Sequence, residues 1–502
     1  MAVPIAAGSV MDGRETGLSV ACCLIVLLAG LSPAVASPYP ENPMVFDLDI
    51  PLAAPWRGGL FAHDLTGDGD MDFVITTLGH VAAYSAKGVR LWHVRDDINL
   101  GQEARRMHFP GRHGPGAIAG DMDGDGAQEV AYLRPDGTLV IRDGRTGQIE
   151  RSYDFPGAQG LAIADFRGTG DRDAVLQYSQ NELQAINLED GETLWHVTDW
   201  MGVEHGIVRT LDLDGDGRDE VLGPIMLDPE GKFLRSAARE GTKMNSFDSL
   251  AVGDILPVPG LEVALAEQHG NDETIVIGAT EPGWWRYHEP GGIWAIGECR
   301  YGEDPDKLAV GEFDPDRPGQ EVFARSSCGN HPWVMAGDGN VIASWSVSDT
   351  APPGWCHVGD CRFDPEASFL QRLADRIRVD LRGGRSPRRG EYGIDLVRPV
   401  HWDGNGQQLL FVTERHVDGQ IALVDALTGE FLRVWPTEAA RTYAADVAGD
   451  AREELIVLEA RPEGSALKIF WNEEAAEDVP QDRLWKDRAY RRVRQNWNYY
   501  SP

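Results

Sequence analysis

The chain alternates short apolar stretches with loops dense in Asp and Gly. Phe73-Val-Ile-Thr-Thr77, Glu129-Val-Ala-Tyr-Leu133 and Ala174-Val-Leu-Gln-Tyr178 are too short to carry a helical period and are rich in residues that suit a pleated surface, so they predict strands. After each comes a Gly-bearing turn and a second stretch: Ala86-Lys-Gly-Val-Arg-Leu-Trp92, Asp143-Gly-Arg-Thr-Gly-Gln148, Glu189-Asp-Gly-Glu-Thr-Leu-Trp195 and Asp425-Ala-Leu-Thr-Gly-Glu430. Glycine turns between alternating strands predict hairpins, and Trp92 and Trp195 are expected to fill the core between adjacent sheets.

The loop before each apolar strand has its own pattern. In Asp121-Met-Asp-Gly-Asp-Gly-Ala-Gln-Glu129 side-chain oxygens stand at positions one, three, five and nine, with glycines at four and six that let the chain turn through positive φ. That is an oxygen cage for a hard cation such as calcium. The closing acid comes at position nine rather than twelve and both flanks are strand-like, so the loop joins strands and is not an EF-hand.

Related loops begin at residues 64, 121, 165, 212, 254, 312, 401 and 446. Most steps fall near the ~40–50-residue period of propeller blades. The fold expected is all-β, an eight-bladed (alternatively seven-bladed) propeller over 37–502, with the long step accommodating an inserted region at about 346–399 that projects from one face. The fullest cages are Asp121, Asp123, Asp125, Glu129 and Asp212, Asp214, Asp216, Glu220; sparser sets are Asp64, Asp68, Asp72, then Asp314, Asp316, Glu321, then Asp446, Asp450, Glu454. In others the cage is broken: Arg167 replaces an acid and brings its own positive charge, Leu256 and Val258 stand where oxygens belong, and the loop at His401 keeps only Asp403 and Asn405. The alternative for every loop is an Asp-Gly turn without an ion.

Near the start, Leu18 to Leu31 is apolar and ends in Ala34-Val35-Ala36 before Ser37, the pattern of a cleaved signal peptide over 1–36. The run is shorter than the ~20 residues of a membrane-spanning helix, so an exported, soluble, monomeric protein with no membrane attachment after cleavage is expected. Of six cysteines, Cys22 and Cys23 fall in that leader. Cys299, Cys328, Cys356 and Cys361 remain, with pairing more in keeping than metal binding and connectivity open. A net charge of -34 argues against nucleic acid as a partner. Basic residues gather between Arg372 and Arg389 and in the run Arg483, Lys486, Arg488, Arg491, Arg492, Arg494; each is either a solvated face or a platform for an anionic ligand.

The loops resemble the FG-GAP or VCBS class of calcium-binding propeller repeats. From Leu213 onward a series of segments is similar, in order, to the rhamnogalacturonan lyases of the eleventh polysaccharide lyase family. They are Asp214-Gly-Asp-Gly-Arg-Asp-Glu-Val-Leu-Gly with Leu227-Asp-Pro-Glu-Gly-Lys232, Asp248-Ser-Leu-Ala-Val-Gly-Asp254, Gly311-Glu-Phe-Asp-Pro-Asp-Arg-Pro-Gly-Gln-Glu-Val322, Ala445-Asp-Val-Ala-Gly-Asp-Ala-Arg-Glu-Glu-Leu-Ile456 with Ala466-Leu-Lys-Ile-Phe470, and Tyr490-Arg-Arg-Val-Arg-Gln-Asn-Trp-Asn-Tyr499. The resemblance implies an eight-bladed propeller, structural calcium and an acidic polysaccharide as substrate. The chain departs from the family's pattern before Ala445, where Glu438-Ala-Ala-Arg441-Thr-Tyr443 replaces a basic run.

A lyase cutting beside a uronic acid must neutralise the sugar carboxylate, remove the C5 proton and let the glycosidic oxygen leave. Tyr499 matches the family's C-terminal tyrosine, and His205, His269 and Lys243 lie just before or after loops, so these four are the candidate catalytic residues. Asp248, Arg441, Trp284 and Trp285 are candidates for binding substrate, the tryptophans by stacking on sugar rings. Two other classes fit the same sequence: a non-catalytic carbohydrate- or protein-binding propeller, and a purely structural extracellular repeat protein.

Overall fold

The computed structural model describes residues 39–52, 58–100, 114–203, 206–237, 246–268, 275–280, 285–288, 305–326, 332–353, 355, 393–414, 419–474 and 483–496. Among them the chain is almost entirely strand; the helical pieces are Val347–Thr350, a 3-10 turn at Leu484–Lys486 and Arg488–Gln495. None is long and apolar enough to cross a membrane.

The strands form seven sheets, six of four strands and one of seven. Each four-stranded sheet is an antiparallel meander in chain order, such as Gly59–His63, Asp72–Thr77, His80–Tyr84 and Arg90–Val94. Second strands read as continuous apolar runs because they are covered on both faces; Glu129–Leu133 is buried throughout. Outer strands such as Ile149–Asp154 alternate half-buried and exposed positions, as a strand with one wet face does.

The seven-stranded sheet follows from one long strand, Phe431–Ala445. Its first part pairs with Gly419–Val424 and its last with Glu454–Ala460, the change falling at Ala439. The sheet is completed by the first described strand: Met44–Leu48 pairs with Ser465–Phe470, which ties the two ends of the described chain together.

The core is divided among the gaps between successive sheets. Ile118 and Ile141 of one sheet pack with Ile163 and Leu176 of the next, all buried. First strands lie side by side, for example Ser246–Gly253 against Pro305–Gly311, and Pro305–Gly311 against Ile394–Val400. At the outer side, the aromatic residues after the turns reach the following sheet, as expected for Trp92 and Trp195. The Trp92 indole donates to the Gly144 carbonyl at 2.7 Å, Trp195 to Pro229 at 3.0 Å and Trp345 to Ala426 at 2.9 Å. Each ring covers a turn glycine: a Cβ on Gly147, Gly231 or Gly429 would lie 2.6, 2.5 or 2.4 Å from the ring, and all three have φ near +70°. Only glycine satisfies both the dihedral and the contact.

Of the region expected as an insertion, residues 394–399 belong to the strand Ile394–Val400, and 356–392 lie outside the described residues.

Candidate functional site

Seven of the eight Asp/Gly loops join the first strand of a meander to its second, beginning after His63, Gly120, Ala164, Leu211, Gly253, Gly311 and Val400; the eighth follows Ala445, the end of the long strand Phe431–Ala445, and leads to Glu454–Ala460. In the loop at 212 the Asp212 carboxylate accepts the backbone N–H groups of Gly215 and Gly217 at 2.8 and 3.0 Å, and Glu220 reaches back to the N–H of Leu213 at 2.8 Å. Asp214 and Asp216 each accept one further backbone N–H. The loop at 121 repeats this, with Asp121 on Gly124 and Gly126, and Glu129 on Met122. The result is convergence: oxygens of Asp121, Asp123 and Glu129, and of Asp212, Asp214 and Glu220, all lie within 4.8 Å of one another. The fifth-position Asp125 and Asp216 are exposed and stand outside these triads. Burial, with the neighbouring acids adding to it, pushes both closing glutamates up to about 8. Carboxylate oxygens crowded in this way, with no sulfur or nitrogen donor, fit a hard cation of the calcium type.

The other loops do not gather three carboxylates among the described residues. Asp64, Asp68 and Asp72 accept backbone N–H groups within their loop. Asp314 pairs with Arg317 at 2.8 Å, Asp316 is exposed, and Glu321 accepts from Phe313 and Asp314. Asp446 is buried and accepts from Gly449 and Leu484, Asp450 pairs with Arg452, and Glu454 accepts from Val447 and Ala448. Arg167 supplies the positive charge anticipated for it, lying 2.7 Å from Asp173.

The residue just before the closing position, which sequence reasoning passed over, fastens one sheet to the one before. Asp219 accepts the N–H of Asp165, Gln320 that of Asp254, Gln408 that of Glu312 and Glu453 that of His401, at 2.8 to 3.0 Å. Each then donates its own N–H back to the same residue's carbonyl. The signal available in sequence was a polar residue just before the closing position, recurring at 128, 219, 320, 408 and 453.

Within the C-terminal basic run, Arg488, Arg492 and Arg494 form neither a solvated face nor an anion platform, while Lys486 and Arg491 are exposed. The helix Arg488–Gln495 is capped by Asp487 and carries its arginines into the loop ends of other sheets. Arg492 lies 3.0 Å from Asp171 and 2.8 Å from Asp219, Arg488 3.0 Å from Asp219, and Arg494 pairs with Glu453. Gln495 donates to Ala119 and Asp171, and Asn496 to Ile163 and Thr210. Arg492 and Arg494 are buried and matched to acids, so they have no charge to offer a ligand.

A second charged group sits at the starts of the first strands, away from the loops. Asp248, Asp306, Lys307 and Arg325 are all at most 2 % exposed. Register places Lys307 opposite Arg325, whose guanidinium is 2.7 Å from Asp306 and 3.5 Å from the partly exposed Asp395. Burial pushes the Lys307 amine down to about 7 against the pull of Asp306, Asp395 and Asp248. The predicted Asp248 is thus joined by residues that the sequence did not single out. Arg441 donates to the carbonyls of Gly58 and Ala440, at 2.9 and 2.8 Å. Trp285 opens the strand Trp285–His288. Tyr499, His205, His269, Lys243 and Trp284 lie outside the described residues.

One loop offers a clean electrostatic test. Glu262 closes the metal-poor loop at 254; one of its oxygens accepts from Ile255 and Leu256 while the other, fully buried, has no hydrogen-bond partner. Burial first, and Asp254 after it, push this carboxyl up from 4.5 to about 7. The fold therefore holds a proton that the unfolded chain has released between those values, and its contribution to stability is lost as pH rises through 7. Glu262→Gln is expected to remove that slope and to raise stability at pH 8 by about 1–2 kcal/mol. Urea melts of both proteins at pH 5 and 8 check it; parallel shifts at the two pH values would contradict it.

No family model matches the chain. Two curated proteins of Bacillus subtilis (strain 168) are similar to it. Rhamnogalacturonan endolyase YesW is 26% identical over 321 residues, covering 52% of this chain and 48% of that protein. Rhamnogalacturonan exolyase YesX is 27% identical over 352 residues, covering 60% and 52%. The chain spans about half the length of these relatives. The crystal structure of rhamnogalacturonan lyase YesW matches in fold, with a TM-score of 0.61 and 19% identity over 93% of this chain and 81% of that one.

Proposed function

We propose that the protein is an exported polysaccharide lyase that cleaves an acidic, rhamnogalacturonan-like polysaccharide by β-elimination. The observation that carries this reading is the similarity to two rhamnogalacturonan lyases, at 26% and 27% identity. The likeness of fold to YesW is consistent with it. The scaffold on this reading is an eight-bladed propeller of the FG-GAP or VCBS type, the seven-stranded sheet counting as two blades that share Phe431–Ala445. Calcium, where held, would sit in the loops at 121 and 212, on Asp121, Asp123 and Glu129 and on Asp212, Asp214 and Glu220, cross-linking carboxylates that otherwise repel.

In the reaction a base takes the C5 proton, a C4–C5 double bond forms, the C4–O bond breaks and the leaving oxygen takes up a proton. The C5 proton is weakly acidic until the uronate carboxylate is neutralised, so cation and base must share one site. The charged group at the strand starts bears on the site only from behind: Arg325 is buried and holds the partly exposed Asp395 at 3.5 Å, with Lys307 buried beside it, so both position groups and neither touches the polymer. Tyr499 is the proton carrier that the family resemblance implies.

Incubation with rhamnogalacturonan and a panel of other uronate polymers is expected to produce ultraviolet-absorbing unsaturated ends from rhamnogalacturonan. Binding without such ends would replace the lyase reading with a carbohydrate-binding one.

A further inference from the structure

Loops of one sequence class meet different charges in the fold. In the loop at 212 no Lys or Arg nitrogen among the described residues lies within 4.0 Å of Asp214, Asp216 or Glu220; Asp212 has Arg488 only at 3.9 Å. In the loop at 165 the third position is Arg167, whose guanidinium spans Asp173 at 2.7 Å and the Asn187 side chain at 2.9 Å. Arg488 closes the opposite side, 3.4 Å from Asp165. At 312, Arg317 takes Asp314. At 446, Arg452 takes Asp450 through two nitrogens. The loop at 121 lies between: its triad converges, yet Arg151 stands 2.8 Å from Asp123 and 3.8 Å from Glu129.

We propose that guanidinium groups have replaced the cation in the loops at 165, 312 and 446 and that the loops at 64, 254 and 401, whose acids do not converge, take none, so that the protein takes up two calcium ions, one tightly at 212 and one more weakly at 121 where Arg151 competes for the same oxygens. The inference rests on the calcium reading above and not on the lyase activity. An arginine is permanently charged, planar and tethered, and it meets a carboxylate with two donors. A guanidinium already placed on cage oxygens lowers the local negative charge and fills part of the volume that an ion and its water would need. The loop at 212 has four acids and only Arg488 nearby, 3.9 Å from Asp212, so there a divalent ion meets the least competition. Arg167 also explains why the loop at 165 keeps its shape without three converging acids, since Asp173 is held by Phe166 N–H and by Arg167 together.

The test counts metal and needs no substrate. The purified chain, stripped with chelator and desalted, is titrated with calcium chloride by calorimetry, and bound metal is measured by elemental analysis after gel filtration. Two ions with separated affinities are expected. Arg151→Met is expected to tighten the weaker site at least tenfold and leave the stronger unchanged. Arg167→Asp, which restores the third-position acid, is expected to raise the count from two to three. A count of zero overturns the calcium reading itself. A count of one, or of three or more, in the parent protein overturns the assignment of two sites while keeping calcium, and it does so whether or not the variants fold. Folded Arg167→Asp with an unchanged count overturns it as well.

Discussion

Arg492→Met is expected to cost the fold about 3–5 kcal/mol, the loss found when one partner of a buried ion pair is removed and the other stays behind. Arg492 is 3% exposed and carries one nitrogen at 2.8 Å from Asp219 and 3.0 Å from Asp171, with Gln495 on the other nitrogen at 3.2 Å. Asp219 is fully buried and also accepts the Asp165 N–H, the bond that fastens its sheet to the one before. Met keeps most of the aliphatic volume but leaves Asp219 with the partly exposed Arg488 and Asp171 with the neutral Gln495 amide. Urea unfolding should move to a lower midpoint at unchanged slope. Asp219→Asn in the same chain should recover part of the loss, because the amide carries no charge to strand. A cost under about 1 kcal/mol would mean that water reaches these acids and that the C-terminal helix is only laid on the sheets.

That helix marks where sequence reading stopped. The eight loops, the strands around them and the packing role of Trp92 and Trp195 were legible because each depends on neighbours in sequence: a turn needs its own glycine, and a covered strand needs its own apolar run. The convergence of Asp212, Asp214 and Glu220 was legible for the same reason. The C-terminal arginines were not, because their partners, Asp165, Asp171, Asp219 and Glu453, are up to 323 residues away and nothing in a basic run says which acids it will meet. Asp219, Gln320, Gln408 and Glu453 were missed because a polar residue beside the closing position reads as part of the loop, while its side chain serves the preceding sheet. Lys307 and Arg325 were missed because a charged residue in a short strand normally points to water; here the register of Pro305–Gly311 with Glu321–Ser326 turns both into a buried group with Asp248.

Lys307→Met is expected to lower turnover on a rhamnogalacturonan substrate by about 10–100-fold, the usual cost of losing a residue that supports a site from behind, here through the partly exposed Asp395, since the buried amine does not reach the polymer. The amine is at most 2% exposed and lies among Asp248, Asp306 and Asp395, yet burial outweighs those acids and brings it from 10.5 to about 7. The sign for stability follows. Between pH 7 and 10.5 the unfolded chain carries a proton at this lysine that the fold has released, so its contribution to stability rises with pH across that window and is least below 7. Met removes the desolvated amine, and the variant is expected to melt at or above the parent temperature at pH 7 and to lack this part of the pH dependence. A residue that only holds the fold together would behave differently, with activity and melting temperature falling in step. The two readings separate on one pair of measurements, turnover and thermal melts at pH 7 and 9. A stable Lys307→Met protein that produces unsaturated ends at the parent rate means that Lys307 positions nothing at the site.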